Sequence, residues 1–308
     1  MNRASIIMST FGYNQSLDSA LQSIFTQAYD NLELILVDDG SPVEDSDKIW
    51  HLVKKFQSSK NVIKFHVNKT NIGLTKSLNV AIGISSGDCI FRLDADDRYS
   101  PSRIEKACQD FNLGYSFSGA LSSSNFFNSS SLKSTELAKN RLIKLRPVVP
   151  HSGFAFTRDL VQSGNGYNEF FTYAQDFEFL LRQLNEGKLK NRFKIRNEKL
   201  VHLGTVGNSI SNSTKRLDQL LFQLLAVLVH HHGMPLPTSY EAFKKEFFSY
   251  KAAALVEELV KLEAVLRQND GAFSKRDLLK YKRGFVCLPF RRELKLAVLN
   301  HLKKRLVD

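Results

Sequence analysis

Cys89-Ile90-Phe91-Arg92-Leu93-Asp94-Ala95-Asp96-Asp97 passes from a short, largely apolar run straight into three carboxylates. Residues 89–93 read as a strand, because they are compact, apolar and bounded by turn residues. Residues 5–8, 32–37 and 62–67 have the same character. Between the first two of these, Leu17, Ala20, Leu21, Ile24, Phe25 and Ala28 recur at the spacing of one helix face. Helical patterns also fit residues 49–56 and 74–84. Strand and helix in alternation imply βαβ units with right-handed crossovers. The expected fold class is therefore α/β: a Rossmann-like, mostly parallel sheet flanked by helices. Ligands of such sheets bind beyond the C-terminal ends of the strands.

Those ends carry the candidate chemistry. The first strand runs into Ser9-Thr10-Phe11, the second into Asp38-Asp39-Gly40-Ser41 and the fourth into Asp94-Ala95-Asp96-Asp97. One sheet edge makes neighbours of these distant carboxylates, and gathered carboxylates need a cation or a hydrogen-bonding ligand to offset their repulsion. Asp-x-Asp after a strand offers hard oxygen ligands for Mg²⁺ or Mn²⁺, metals that also bind substrate phosphates. Taken alone, Asp38-Asp39-Gly40-Ser41 reads as a turn and the Asp94 segment as a loop. An EF-hand fits poorly, since Arg98 and Tyr99 stand where an acidic residue and Gly belong. Neither G-x-G-x-x-G nor G-x-x-x-x-G-K-[ST] occurs, which disfavours dinucleotide-dependent dehydrogenases and P-loop NTPases.

Farther along, residues 115–135 suggest a strand running into a mobile Ser- and Asn-rich loop, 152–157 another strand, and 176–185 a helix. From Thr214 onward the pattern is helical, with breaks at Gly233-Met234-Pro235, Asn269-Asp270-Gly271 and Pro289. The expected division is a body over 1–210 and a helical C-terminal region over 211–308.

Composition narrows the class. The 308 residues are 43% hydrophobic and 24% charged, with a net charge of +12, which excludes wholesale disorder. No apolar run reaches the roughly 20 residues of a membrane-spanning helix, and the N-terminus has no signal-peptide core, so a cytoplasmic protein is expected. Cys89, Cys108 and Cys287 form no C-x-x-C pattern and are expected as buried or half-buried thiols. Between Gly271 and Asp308, eleven Lys and Arg face three acidic residues, so this stretch holds +8 of the excess.

Five segments appear in order: Ser5-Ile-Ile-Met-Ser-Thr-Phe11, Leu34-Ile-Leu-Val-Asp-Asp-Gly-Ser41, Asn71-Ile-Gly-Leu-Thr-Lys-Ser-Leu-Asn79, Gly87-Asp-Cys-Ile-Phe-Arg-Leu-Asp-Ala-Asp-Asp97 and Tyr173-Ala-Gln-Asp-Phe-Glu-Phe-Leu-Leu-Arg182. Together they resemble glycosyltransferase family 2, nucleotide-sugar-dependent enzymes of the GT-A fold. The resemblance covers about residues 4–210. It implies that Thr10 and Phe11 contact the nucleotide base and that Asp39, with Asp38 beside it, hydrogen-bonds it. Asn71, Gly73 and Lys76 would line the diphosphate side. Asp94 would sit near the ribose and metal, Asp96 would ligate the metal directly, and Asp97 would support the loop.

Asp176 matches the catalytic base of inverting members; the competing reading is a helix N-cap. Gln175 replaces the usual Glu before it, and Ser9 replaces the usual Pro. His151 and His202 match positions near acceptor or diphosphate, with a structural histidine the alternative for each. His230-His231-His232 is expected as a helix-end cation cluster. The processive Q-x-x-R-W motif is absent, which implies transfer of one sugar.

The expected activity is inverting, metal-dependent transfer from a UDP-linked donor to a hydroxyl of a glycan or lipid-linked acceptor, as in bacterial surface polysaccharide synthesis. The alternative is a catalytically silent module that binds nucleotide or glycan. Nucleic acid is not an expected partner, because the basic excess is confined to the tail and no binding module is recognisable. Within the tail, Phe285, Val286, Leu288 and Phe290 lie between Lys282-Arg283 and Arg291-Arg292, a pattern suited to peripheral contact with the inner face of the plasma membrane. Packing on the body accounts for the same stripe.

Overall fold

The computed structural model describes residues 3–123, 134–143, 145, 147–162, 166–204 and 216–247. The basic tail with Cys287, and the Ser- and Asn-rich stretch 124–133, lie outside the described residues.

In chain order the first half comprises β1 (Ala4–Thr10), α1 (Ser16–Phe25), β2 (Leu32–Asp38), α2 (Val43–Phe56), β3 (Val62–Val67), α3 (Leu74–Ile84) and β4 (Cys89–Arg92). There follow β5 (Arg98–Tyr99), α4 (Arg103–Asn112), β6 (Phe117–Ser122), α5 (Thr135–Ile143) and β7 (Ala155–Thr157). The last elements are α6 (Gln175–Asn185), β8 (Phe193–His202), α7 (Arg216–His230) and α8 (Tyr240–Phe247).

Eight strands form one sheet in the order β3-β2-β1-β4-β7-β6-β8-β5. The four N-terminal strands are mutually parallel, as the alternation predicts. β7 then runs antiparallel to both β4 and β6, β8 runs parallel to β6, and β5 closes the far edge antiparallel to β8. The sheet is thus mixed, with its antiparallel pairs in the second half.

Strand side chains alternate between faces, which builds two cores. Ile7, Ile35, Val37 and Ile90 face one, with Leu78 of α3, Phe179 and Leu180 of α6 and Phe222 and Leu225 of α7. Ile6, Met8, Leu34, Leu36 and Phe91 face the other, with residues of α1, α2 and α4.

Two sequence expectations shift, and one strand was not expected. The helix read over 49–56 begins at Val43, where Pro42 ends an extended segment and Glu44 and Asp45 favour a helix start. The strand read over 152–157 is shorter: His151–Gly153 forms a 3₁₀ turn and only Ala155–Thr157 pairs. The turn is fixed from outside, by a hydrogen bond from Arg103 Nη2 to the Gly153 carbonyl at 2.8 Å and by carboxylates around Ser152. β8 escaped the sequence reading because Lys194, Arg196, Asn197, Glu198 and Lys199 interrupt its apolar pattern. Cys89 and Cys108 are buried, as expected.

Candidate active site

The first cluster forms where β1 and β2 end side by side. Thr10 pairs with Asp38 in register, and the Asp39 amide donates to the Thr10 carbonyl at 2.8 Å. Gly40 turns the chain with φ 72°, and a Cβ there would lie 2.4 Å from the Thr70 carbonyl carbon, so no side chain fits. Asp38 and Asp39, adjacent at the strand end, take separate partners. Asp39 Oδ1 accepts from Asn68 Nδ2, Ser77 Oγ and the Ile72 amide, and its Oδ2 from the Gly73 amide, each at 2.8–2.9 Å. A carboxylate from one strand end thus secures the uncapped N-terminus of α3, whose preceding Gly73 has φ 88°.

Asp38 Oδ1 accepts from the Ser41 amide and hydroxyl, while its Oδ2 is buried without a hydrogen-bond partner. Phe11 is 60% exposed, and Asn71 and Lys76 are exposed. Of the residues assigned to the nucleotide, Phe11, Asn71 and Lys76 face outward, whereas Asp39 spends its carboxylate inside the protein. Thr10 is buried, its hydroxyl donating to the Gly12 carbonyl at 3.1 Å.

The second cluster is the acidic loop after β4. Burial pushes the Asp94 carboxyl up, but the Arg92 guanidinium in contact with it, aided by the Ser152 hydroxyl, holds it below the ordinary carboxylate range. Arg92 acts on Asp96 too, but as the smallest influence; burial, then the Asp94 charge, raises it. Asp97 is turned inward, accepting from the Gly204 amide at 2.8 Å and from Ser152 Oγ. Burial and the neighbouring Asp94 charge push its carboxyl up to about 7. Gly204 permits this closeness, because a Cβ there would meet the Asp96 carbonyl oxygen at 2.3 Å. His202, at the end of β8, sits 3.0 Å from Ser100 Oγ, just past β5.

No group of three His, Cys, Asp or Glu side chains gathers as a closed metal cage among the described residues. Two carboxylates under mutual repulsion nonetheless suit a divalent cation that completes its shell with water and phosphate. The donor set of Asp94 and Asp96 is chemically of that kind.

The third cluster brings in the start of α6. Ala174, immediately before it, is left-handed at φ 55°, ψ 27°, a conformation that costs an L-residue roughly 1–2 kcal/mol. The N-cap position is Ala174 and not Asp176, so Asp176 stands inside the first turn and is not the N-cap. Burial raises the Asp176 carboxyl, the Phe177 amide draws it back, and the Asp94 charge raises it again. The base candidate and the acidic loop, 82 positions apart in the chain, therefore share one electrostatic site.

Arg92, His151 and Tyr167 complete that site. Arg92 is fully buried, and its Nε and Nη1 have no hydrogen-bond partner. His151 Nε2 lies 2.8 Å from the Tyr167 hydroxyl, and burial beside the Arg92 charge pushes the imidazole down to about 3, so it is neutral. Sequence reasoning missed Arg92, Tyr167 and Ser152. An arginine inside an apolar strand was the available signal for the first.

A model of the family described as "Glycosyl transferase family 2" matches residues 5–161, just over half of the chain. The chain belongs to glycosyl transferase family 2. An uncharacterized glycosyltransferase of Haemophilus influenzae is 37% identical to this family 2 chain over 102 residues, 33% of the chain and 30% of that relative. The O-antigen biosynthesis glycosyltransferase WbnJ of Escherichia coli is 26% identical over 193 residues, 60% of the chain and 73% of WbnJ. The chain thus spans about a third of the length of the first curated relatives it matches.

Among solved structures, S. aureus TarS 1-349 in complex with UDP-GlcNAc has a TM-score of 0.62 at 18% identity, covering 98% of this chain and 80% of that one. The mannosyltransferase PcManGT from Pyrobaculum calidifontis, in complex with GDP-Man and Mn2+, has a TM-score of 0.59 at 14% identity, covering 100% and 88%. The family 2 chain has the GT-A fold of these neighbours. No helix among its described residues is long and apolar enough to cross a membrane.

Proposed function

We propose that this chain transfers one sugar from a UDP-linked donor to a hydroxyl of a glycan or lipid-linked acceptor, with inversion at the anomeric carbon. The observation that carries this reading is the convergence of Asp176 with the Asp94-Ala95-Asp96 loop, close enough for the Asp94 charge to raise the Asp176 carboxyl. A base and a diphosphate-side carboxylate pair on one sheet edge suit a single displacement.

Asp176 accepts the proton of the acceptor hydroxyl while that oxygen attacks the anomeric carbon. The bond from that carbon to the diphosphate breaks, and its electron pair leaves on the diphosphate oxygen. Asp94 and Asp96 would hold a divalent cation, Mn²⁺ or Mg²⁺, whose chemistry when bound is to neutralise charge on the diphosphate. Phe11 offers an exposed ring to the base, and Lys76 and Asn71 offer polar groups toward the diphosphate. Asp39 acts behind them, by holding the Ile72 and Gly73 amides in place.

The donor class is supported by TarS with UDP-GlcNAc and PcManGT with GDP-Man and Mn2+, and the surface-polysaccharide setting by WbnJ. We assign residues 1–210 to the transferase body and the basic stretch 271–308 to peripheral contact with anionic lipid. A panel of UDP- and GDP-sugars, assayed for nucleotide release with and without Mn²⁺, tests the reaction. Release from at least one UDP-sugar is expected. Absence of release from every donor would instead support a silent binding module. Vesicle binding before and after removal of 271–308 tests the membrane contact, and unchanged partitioning would exclude it.

A further inference from the structure

α6 carries two acids with opposite surroundings. Asp176 belongs to the site with Arg92 and Asp94, whereas Glu178 is fully buried. An α-helix turns about 100° per residue, so side chains two apart leave it about 200° apart, on opposite sides. Glu178 points away from the chemistry and toward α7. Its Oε1 accepts from Arg182 Nε at 2.8 Å and lies 2.8 Å from His230 Nε2, the last residue of α7. Asn185 Nδ2, at the other end of α6, donates to the His230 carbonyl at 2.6 Å. One residue of α7 is therefore fastened to α6 through both its side chain and its backbone.

The segment leading into α6 is gripped by the same helix. The Phe222 ring of α7 lies 5.7 Å from the Phe171 ring and 6.0 Å from that of Tyr173. This support matters because α6 does not fix its own start. No side chain caps it, and it is entered through the left-handed Ala174.

We propose that His230, acting through buried Glu178, is a positioning residue for Asp176. This rests on the reading of Asp176 as the base. The imidazole holds Glu178 against α7 and so sets the rotation of α6 about its own axis, which places the Asp176 carboxylate on the opposite side. None of the residues assigned to the donor side, at the ends of β1, β2 and β4 and the start of α3, takes part in this contact. Loss of the imidazole should therefore slow the chemical step and leave donor binding intact.

The test uses the full chain with Mn²⁺ and the UDP-sugar that the donor panel selects, following UDP release and thermal stability in parallel. His230→Ala should lower kcat about ten- to a hundredfold, the scale on which misplacing a catalytic group by a fraction of an ångström to an ångström acts, with donor KM changed less than about twofold. His230→Gln, which keeps an N–H donor, should recover most of the loss. Asn185→Ala should lower kcat in the same direction but less, and it serves if His230→Ala does not fold.

Unchanged kcat in His230→Ala or Asn185→Ala overturns the proposal. So does a His230→Ala defect in which donor KM rises along with falling kcat, or one that Gln does not relieve. Asp176→Asn run alongside separates the two claims. Normal turnover there removes the base assignment itself, whereas an inactive Asp176→Asn beside a normal His230→Ala removes only the positioning role.

Discussion

Thr75 Oγ1 donates a 2.7 Å hydrogen bond to the backbone carbonyl of Phe171, joining two residues 96 apart in the chain. Thr75 lies in the first turn of α3, the helix whose start Asp39 secures, and Phe171 lies three residues before Ala174. The donor side and the base side of the site are thereby braced through one buried bond. Thr75→Val keeps the shape and leaves the Phe171 carbonyl without this donor. It should cost about 1–3 kcal/mol in chemical denaturation and lower kcat more than it raises donor KM.

Asp176→Asn should reduce kcat by about 10²- to 10⁴-fold, the range for losing a general base, with UDP affinity unchanged by calorimetry. Asp96→Asn should differ in kind, weakening donor binding in the presence of Mn²⁺ and abolishing the difference between assays with and without the metal.

The base works only when ionised, so turnover rises with pH through the Asp176 pKa. Burial and the Asp94 charge raise that pKa above the ordinary value of 3.8, which places the acid limb of the kcat/KM profile, the one that reports the free enzyme, above pH 3.8. Arg92 favours the Asp176 anion. Arg92→Gln should therefore move the limb to still higher pH, a shift readable in the pH profile of the folded variant.

Glu33, fully buried on β2, accepts from Ser5 Oγ, the Ser86 amide and Ser86 Oγ and is paired with Lys64 and Arg3. Burial alone would raise its carboxyl, but the Ser86 and Ser5 hydrogen bonds and Lys64 lower it from 4.5 to about 2. A folded pKa below the unfolded one contributes stability above about pH 4.5, of order 3 kcal/mol, that is lost as pH falls toward about 2. Glu33→Gln should accordingly be less stable at neutral pH, and the gap to the parent protein should close over that acid window in denaturation series.

Ala174 occupies a backbone region that β-branched residues avoid. Ala174→Val should cost roughly 1–3 kcal/mol by denaturation, whereas Ala174→Gly should retain the parent stability. If the two variants melted alike, the left-handed conformation would not be the operative constraint.

The sequence by itself determined the parallel half of the sheet. Residues 5–8, 32–37, 62–67 and 89–93 alternate with helix-period stretches, and local periodicity records which face of each element is buried. It also placed the carboxylates at strand ends and, through five ordered segments, indicated the family. Tertiary structure decided what those residues do. Asp39 lies beside Asp38 in the chain, yet Asn68, Ser77 and the Ile72 and Gly73 amides hold its carboxylate inward against the start of α3. Arg92, His151, Tyr167 and Asp176 meet only because β4 and β7 pair and α6 packs across that face. β8 pairs with β6 despite its charged run, because partners on a neighbouring strand satisfy a backbone whose side chains carry a weak strand signal. Periodicity is a short-range property of the chain, whereas hydrogen-bond partners and the fields that shift a carboxylate depend on which distant segments packing brings together.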